Sequence, residues 1–145
     1  MKNLSRKNII LTAVALVVVL VILLSAVTKG NDPVILESEE QRISYINSIG
    51  ITVTDDPPAV RNIIIPADFP PVYKKYNELQ KQYGFDLWNY RGEPAVQYTY
   101  KVTDYRNDKG EAEQDVRINL ITYEGHLIGG DISSTRLDGF MKGLG

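Results

Sequence analysis

The chain has 145 residues, with 16 Lys and Arg, 18 Asp and Glu, one His and no Cys, for a formal net charge of −2. That length accommodates one globular domain, and the missing Cys removes disulfides, thiolate metal sites, a cysteine nucleophile and a lipid-modified cysteine. One His excludes a two-histidine metal site from a single chain, and the slightly acidic balance argues against a nucleic-acid binder, whose footprint is a basic patch.

Charge is absent from Asn8 to Thr28, and within Ile9–Val27 only Thr12 and Ser25 are polar. At about 1.5 Å per residue this run reaches roughly 31 Å as a helix, the thickness of a bilayer's hydrocarbon core. In lipid a helix is the one local way to satisfy every backbone N–H and C=O. The run exceeds the roughly 7–15-residue apolar core of a cleavable signal peptide. Cleavage near Ser25-Ala26 is the alternative, but Leu24 and Val27 make that a poor site. The sequence therefore predicts an uncleaved transmembrane helix over 8–28, in contact with the lipid bilayer. Lys2, Arg6 and Lys7 precede it, so the positive-inside rule places residues 1–7 in the cytoplasm. A tether over 29–37 then leads to an extracytoplasmic domain over 38–145. Residues 30–145 hold 12 basic and 18 acidic side chains, a net charge of −6, which disfavours docking on anionic lipid or polyanionic wall polymers.

In the outer domain, Ser38-Glu39-Glu40-Gln41 reads as a capping box, with Ile43, Ile46 and Ile49 at helical spacing and Gly50 as a left-handed stop. A first helix near 38–49 follows, then a short strand over Ile51–Thr54. Asp55-Asp56-Pro57-Pro58 interrupts the pattern, and Val60–Ile65 is a β-branched run ended by Pro66. A second helix near 70–83 accepts Pro71 in its first turn and carries an apolar stripe of Val72, Tyr76, Leu79 and Tyr83. Gly84 stops it, and Phe85 can fold back as in a Schellman motif. An aromatic loop over Phe85–Pro94 precedes a strand with Val96, Tyr98, Tyr100 and Val102 on one face. After the polar loop Asp104–Asp115, Val116, Ile118 and Leu120 alternate. Glu124-Gly125 then turns the chain into His126–Ser133. The fold class expected is α+β: the transmembrane helix, then two amphipathic helices packed on an antiparallel sheet of three to five strands with a C-terminal three-stranded meander.

The segments Tyr76–Leu87, Tyr90-Arg91-Gly92, Tyr98–Tyr105, Gly125–Ile132 and Leu137–Leu144 together resemble a family of membrane-anchored proteins of clostridia and bacilli, DUF 4830. The resemblance covers roughly residues 38–145. It implies a cell-surface protein of a Gram-positive bacterium and brings no catalytic residues with it.

No segment fits a known catalytic or metal motif. The acidic loop Asp104–Asp115 places Arg106 third and Lys109 sixth, where a calcium loop needs an oxygen ligand and a glycine. His126 follows a turn glycine with no nucleophile-elbow pattern, and reads as a surface histidine at a hairpin tip. Gly129-Gly130-Asp131 lies mid-strand without a helix N-terminus to receive a phosphate, and reads as a bulge or a close approach of a helix backbone to the sheet. Asp131 and Asp138 are the one carboxylate pair weighed for glycoside hydrolysis. The exposed candidate is the loop Trp88-Asn89-Tyr90-Arg91, which can anchor a protein partner or stack on a sugar. The favoured reading is that Trp88 and Tyr90 cover an edge of the core. The expected function is a non-catalytic protein-binding or regulatory module at the cell envelope, with no cofactor, no metal and no nucleic acid. Glycan binding or trimming through Trp88–Arg91 is the alternative.

Overall fold

The computed structural model describes residues 33–145; the expected transmembrane helix over 8–28 and residues 1–7 lie outside the described residues. Among the described residues no helix is long and apolar enough to cross a membrane. The described residues form an α+β fold, with two α-helices and an antiparallel sheet of six strands.

Helix α1 (Glu39–Ser48) begins with the capping box: Ser38 Oγ accepts the Gln41 N–H at 3.2 Å, and Gln41 Oε1 accepts the Ser38 N–H at 2.9 Å. Helix α2 (Pro71–Gln82) has its proline where no intrahelical N–H is needed. Both helices end in Schellman motifs. Ile51 N–H donates to Ile46 O at 3.2 Å beyond Gly50 (φ +77°), and Phe85 N–H donates to Gln80 O at 3.1 Å beyond Gly84 (φ +85°).

The strands are β1 (Thr52–Val53), β2 (Ala59–Ile64), β3 (Pro94–Thr103), β4 (Val116–Tyr123), β5 (His126–Ser134) and β6 (Met141–Lys142). The meander β3–β4–β5 forms the middle of the sheet, with Glu124 and Gly125 both at positive φ in the tight turn between β4 and β5. β1 and β2 share one edge of β3. From Val53 opposite Val102 to Ala59 opposite Thr99, six steps on the edge face three on β3, so Asp55–Pro58 loops out. Pro57 and Pro58 have no N–H to offer the ladder there. β6 closes part of the opposite edge, with Lys142 against Ile132. The compact unit spans Val34–Gly145. Its first residues run beside β5: Leu36 N–H donates to Gly125 O at 2.7 Å, Leu127 N–H to Val34 O at 2.8 Å, and Leu36 is buried in the core.

The two faces of the sheet bury different clusters. On one, Ile46 of α1 packs with Tyr100, Ile118, Leu120 and Ile132. Arg42 is 8 % exposed there, its Nε donating to Tyr100 Oη at 2.9 Å and its Nη1 to Leu36 O at 3.1 Å and Glu37 O at 3.2 Å. Its guanidinium lies 3.9 Å from the Tyr98 ring centre. On the other face, Ile65, Phe69 and Leu87 pack against Ala95, Ile121 and Ile128.

Helix α2 docks differently from its expected stripe. Asn77 and Gln80 are its buried residues, while Val72 is 81 % exposed. Burying two amides is tolerated because each is bonded at both ends. Asn77 donates to Asp86 Oδ1 and accepts the Leu87 N–H, both at 2.8 Å. Gln80 donates to Gly130 O at 2.9 Å and accepts the Gly130 N–H at 2.8 Å, acting as a side-chain rung on β5. A Cβ on Gly129 would come within 2.9 Å of Gln80 Oε1 and 3.1 Å of Leu87. Gly129 thus marks a close approach to the sheet, made by side chains rather than by helix backbone, while Gly130 faces the Asn119 carbonyl and Leu144.

A candidate binding trough beside α2

The register of β2, β3, β4 and β5 sets out a polar floor on the α2 face. Gln97 and Thr99 on β3, Asn119 on β4 and Asp131 on β5 alternate onto this side, with Asn119 directly between Thr99 and Asp131. Thr99 Oγ1 donates to Asn119 Oδ1 at 2.6 Å, and Gln97 Nε2 donates to the same oxygen at 3.1 Å. Asn119 Nδ2 donates to Asp131 Oδ2 at 3.0 Å, an oxygen that also receives the Ser133 hydroxyl at 2.9 Å. Tyr76 of α2 donates to Asp131 Oδ1 at 2.8 Å. Burial raises the Tyr76 phenol far above its ordinary value and the Asp131 charge raises it further, so Tyr76 remains a donor.

Above this floor a trough of about 670 Å³ opens between α2, β2 and β6, of a size usual for ligand sites. Val72, Tyr73, Tyr76 and Leu79 form its helix wall, Ile63, Ile64 and Pro66 one end, Met141 the other, and Gln97, Ile121 and Asp131 the base. Ile64 is 71 % exposed, and Met141 is exposed as well. Of the apolar stripe read from the sequence of this helix, Val72 and Leu79 line open space, whereas Tyr76 packs on the core and Tyr83 lies against Gly143 and Gly145.

Of the residues singled out by sequence, Asp131 lines the trough and the others lie elsewhere. Leu87–Tyr90 form a single 3₁₀ turn, capped by Asp86, which accepts the Trp88 N–H at 3.0 Å. Burial pushes the Asp86 carboxyl up, but bonds from Asn77 and the Trp88 backbone, with Lys81 and Arg91 nearby, outweigh that and hold it below the ordinary range. Tyr90 packs against Tyr123, with ring centres 5.4 Å apart. Trp88 is 45 % exposed, meets Phe69 edge-on at 5.1 Å, and carries the Arg91 guanidinium 4.0 Å over its ring. Asn89 is exposed. His126 sits at the β4–β5 turn with Nδ1 2.9 Å from Glu124 O. Asp138 pairs with Arg136 at 3.5 Å in a hollow beside Gln114 and Ser134, away from the trough that Asp131 lines. In the 104–115 loop the Asn107 side-chain amide donates to the Glu111 and Glu113 carboxylates. Among the described residues no group of three or more His, Asp or Glu is placed to hold a metal ion.

Sequence reasoning missed the floor network and the trough. Alternation placed Gln97 and Thr99 on the face opposite Tyr98 and Tyr100, but the helix above them could not be assigned to that side without the register. The mid-strand glycines were the available sign, since a strand that gives up two side chains has something close against it.

The fold and site define a class: a small α+β domain with a helix packed on each face of one antiparallel sheet and an open trough beside α2. The sequence profile of a family described as Domain of unknown function (DUF4830) matches residues 59–132, slightly more than half of the chain, and the protein belongs to that family. The matched segment runs from β2 to β5 and so contains both helix α2 and the trough floor. No curated protein and no solved structure matches the chain.

Proposed function

We propose that the protein is a single-pass membrane protein of a Gram-positive cell envelope, anchored through residues 8–28, with residues 1–7 in the cytoplasm. Its outer domain is a non-catalytic module that binds a protein partner in the trough beside α2. The anchor reading is supported by the charge-free Asn8–Thr28 run and the three basic residues ahead of it. The binding reading rests on one observation: the α2 stripe, with Val72 81 % exposed, lines an apolar trough above a floor whose polar groups already bond one another. A preorganised floor and exposed apolar walls suit docking. A non-catalytic role is favoured because the one histidine, His126, lies at the β4–β5 turn against Glu124 O, at the opposite end of β5 from the Ser133 hydroxyl.

The Trp88–Arg91 loop adds a second contact at most. Its glycan reading needs a free aromatic face, and Arg91 already covers one face of Trp88.

The test places a photo-crosslinking residue at Val72 of the full-length chain in its native membrane. A discrete protein adduct, lost when Ile64→Asp is added, is expected; no adduct at Val72 overturns the reading. Because the chain has no Cys, Ser5→Cys and Asp108→Cys give clean topology probes. Impermeant maleimide labels position 108 of intact cells and spares position 5 if the orientation is right.

A further inference from the structure

The charge of the open face runs against that of the domain. Residues 30–145 carry a net charge of −6, yet the strand register places cations around the trough floor. Arg61 lies directly across from Gln97. Arg117 lies two residues along β4 from Asn119, hence on the same side of the pleat, and across from Lys101. Lys75 stands on the helix wall. Among the described residues neither Arg61, Arg117 nor Lys75 has an ion-pair partner; Lys101 is paired with Asp56 at 3.3 Å. The one carboxylate lining the trough, Asp131, is 4 % exposed and has both oxygens occupied by Tyr76, Asn119 and Ser133. An incoming acidic group therefore meets three cations without ion-pair partners and one carboxylate already engaged.

Shape adds to charge. The helix wall from Val72 to Leu79 repeats at helical spacing along α2, and α2 is 12 residues long, about 18 Å at 1.5 Å per residue. A helix of similar length laid alongside would set its own apolar stripe against this wall, the helix-in-groove mode of recognition. We infer that the occupant of the trough is an acidic amphipathic helix of a partner protein, its apolar side chains on Val72, Leu79, Ile64 and Met141 and its carboxylates on Arg61, Arg117 and Lys75. This rests on the proposed docking role of the trough and goes beyond it by fixing the partner's charge and form.

The experiment uses the full-length chain in nanodiscs and two labelled synthetic helical peptides of three to four turns. Both have the same Leu stripe; the remaining positions are Glu in one and Lys in the other. Fluorescence anisotropy is expected to show binding of the Glu peptide that weakens as salt is raised. Arg61→Glu combined with Arg117→Glu should weaken it about tenfold or more. The Lys peptide should bind more weakly than the Glu peptide to the unmodified chain. The exposed single variant Arg61→Glu, checked for an unchanged melting temperature, covers the case in which the double variant folds poorly. Equal binding of the two peptides, no binding of the Glu peptide, or indifference to the arginine changes overturns the inference. Loss of binding with Val72→Asp but not with the arginine variants overturns the acidic partner and leaves the docking role standing. A dimer in light scattering that Val72→Asp dissolves assigns the trough to a second copy of the chain and overturns it too.

Discussion

Under α1 the helix is held by apolar packing centred on Ile46, with Arg42 buried beside it, whereas under α2 the deepest side chains of the helix are amides and a trough is left open at its flank. Ile46, Ile118 and Leu120 are wholly buried on the α1 side. On the α2 side, the deepest helix residues are Asn77 and Gln80, and each reaches a specific backbone group. Apolar packing is non-directional and stabilises in proportion to area removed from water. Paired amides add little net energy but are costly to leave unpaired, so they specify one position for the helix. A helix that needs only two amides and a few aromatic contacts to hold its place can leave part of its apolar stripe for something else.

The largest effect should come from the α1 face. Ile46→Ala is expected to lower unfolding free energy by about 2–5 kcal/mol in denaturant titrations, the usual range for a large-to-small change in a filled core. Gln80→Leu tests the other face: it keeps bulk and strands the Gly130 N–H and C=O, at about 1–3 kcal/mol for each group left without a partner. If Gln80→Leu proves neutral or stabilising, the contrast between the faces fails. Ser38→Ala removes half of the capping box and should cost about 1 kcal/mol, read as a lower melting temperature.

A smaller effect concerns pH. The Asp86 carboxyl titrates below its ordinary value of 3.8 in the folded chain. Its contribution is therefore fully present above that value and is lost as pH falls through the lowered one. Asp86→Asn should flatten the acid limb by lowering the melting temperature modestly at neutral pH, with the two profiles converging as pH falls through the lowered value. The smallest stability effect is expected for Val72→Asp, within about 0.5 kcal/mol because the side chain is exposed, while peptide binding is lost. A large loss of stability there would show that the α2 stripe is core after all.

Much of this was legible from local rules. Ser38 and Gln41, Gly50 and Gly84, and the Glu124-Gly125 turn act over a few residues, and all appear where the sequence places them. The strict alternation from Val96 to Val102 identified the strand and its α1-facing side. What was not legible is non-local. β6 is two residues long and has no period to read. Gln80 meets Gly130 across 50 positions of sequence, and amides ordinarily read as surface residues. Val72 and Leu79 have the spacing of a core stripe, and only the position of the sheet shows that they line a trough. Trp88 drew attention as a large aromatic in a loop, and its geometry with Phe69 and Arg91 is equally a product of tertiary packing.

The entry of the chain into the domain has a mechanical consequence. Tension arriving through Pro33 first meets the bond from Leu127 to Val34 O, then that from Leu36 to Gly125 O, then the grip of Arg42 on the carbonyls of Leu36 and Glu37. Arg42 in turn holds Tyr100 on β3, while Leu127 belongs to β5. A pull on the N-terminal end is thus shared between two interior strands on either side of β4, and α1 does not take the strain alone. The first holds on this end lie at the β4–β5 turn, and Arg42 carries the connection on to β3.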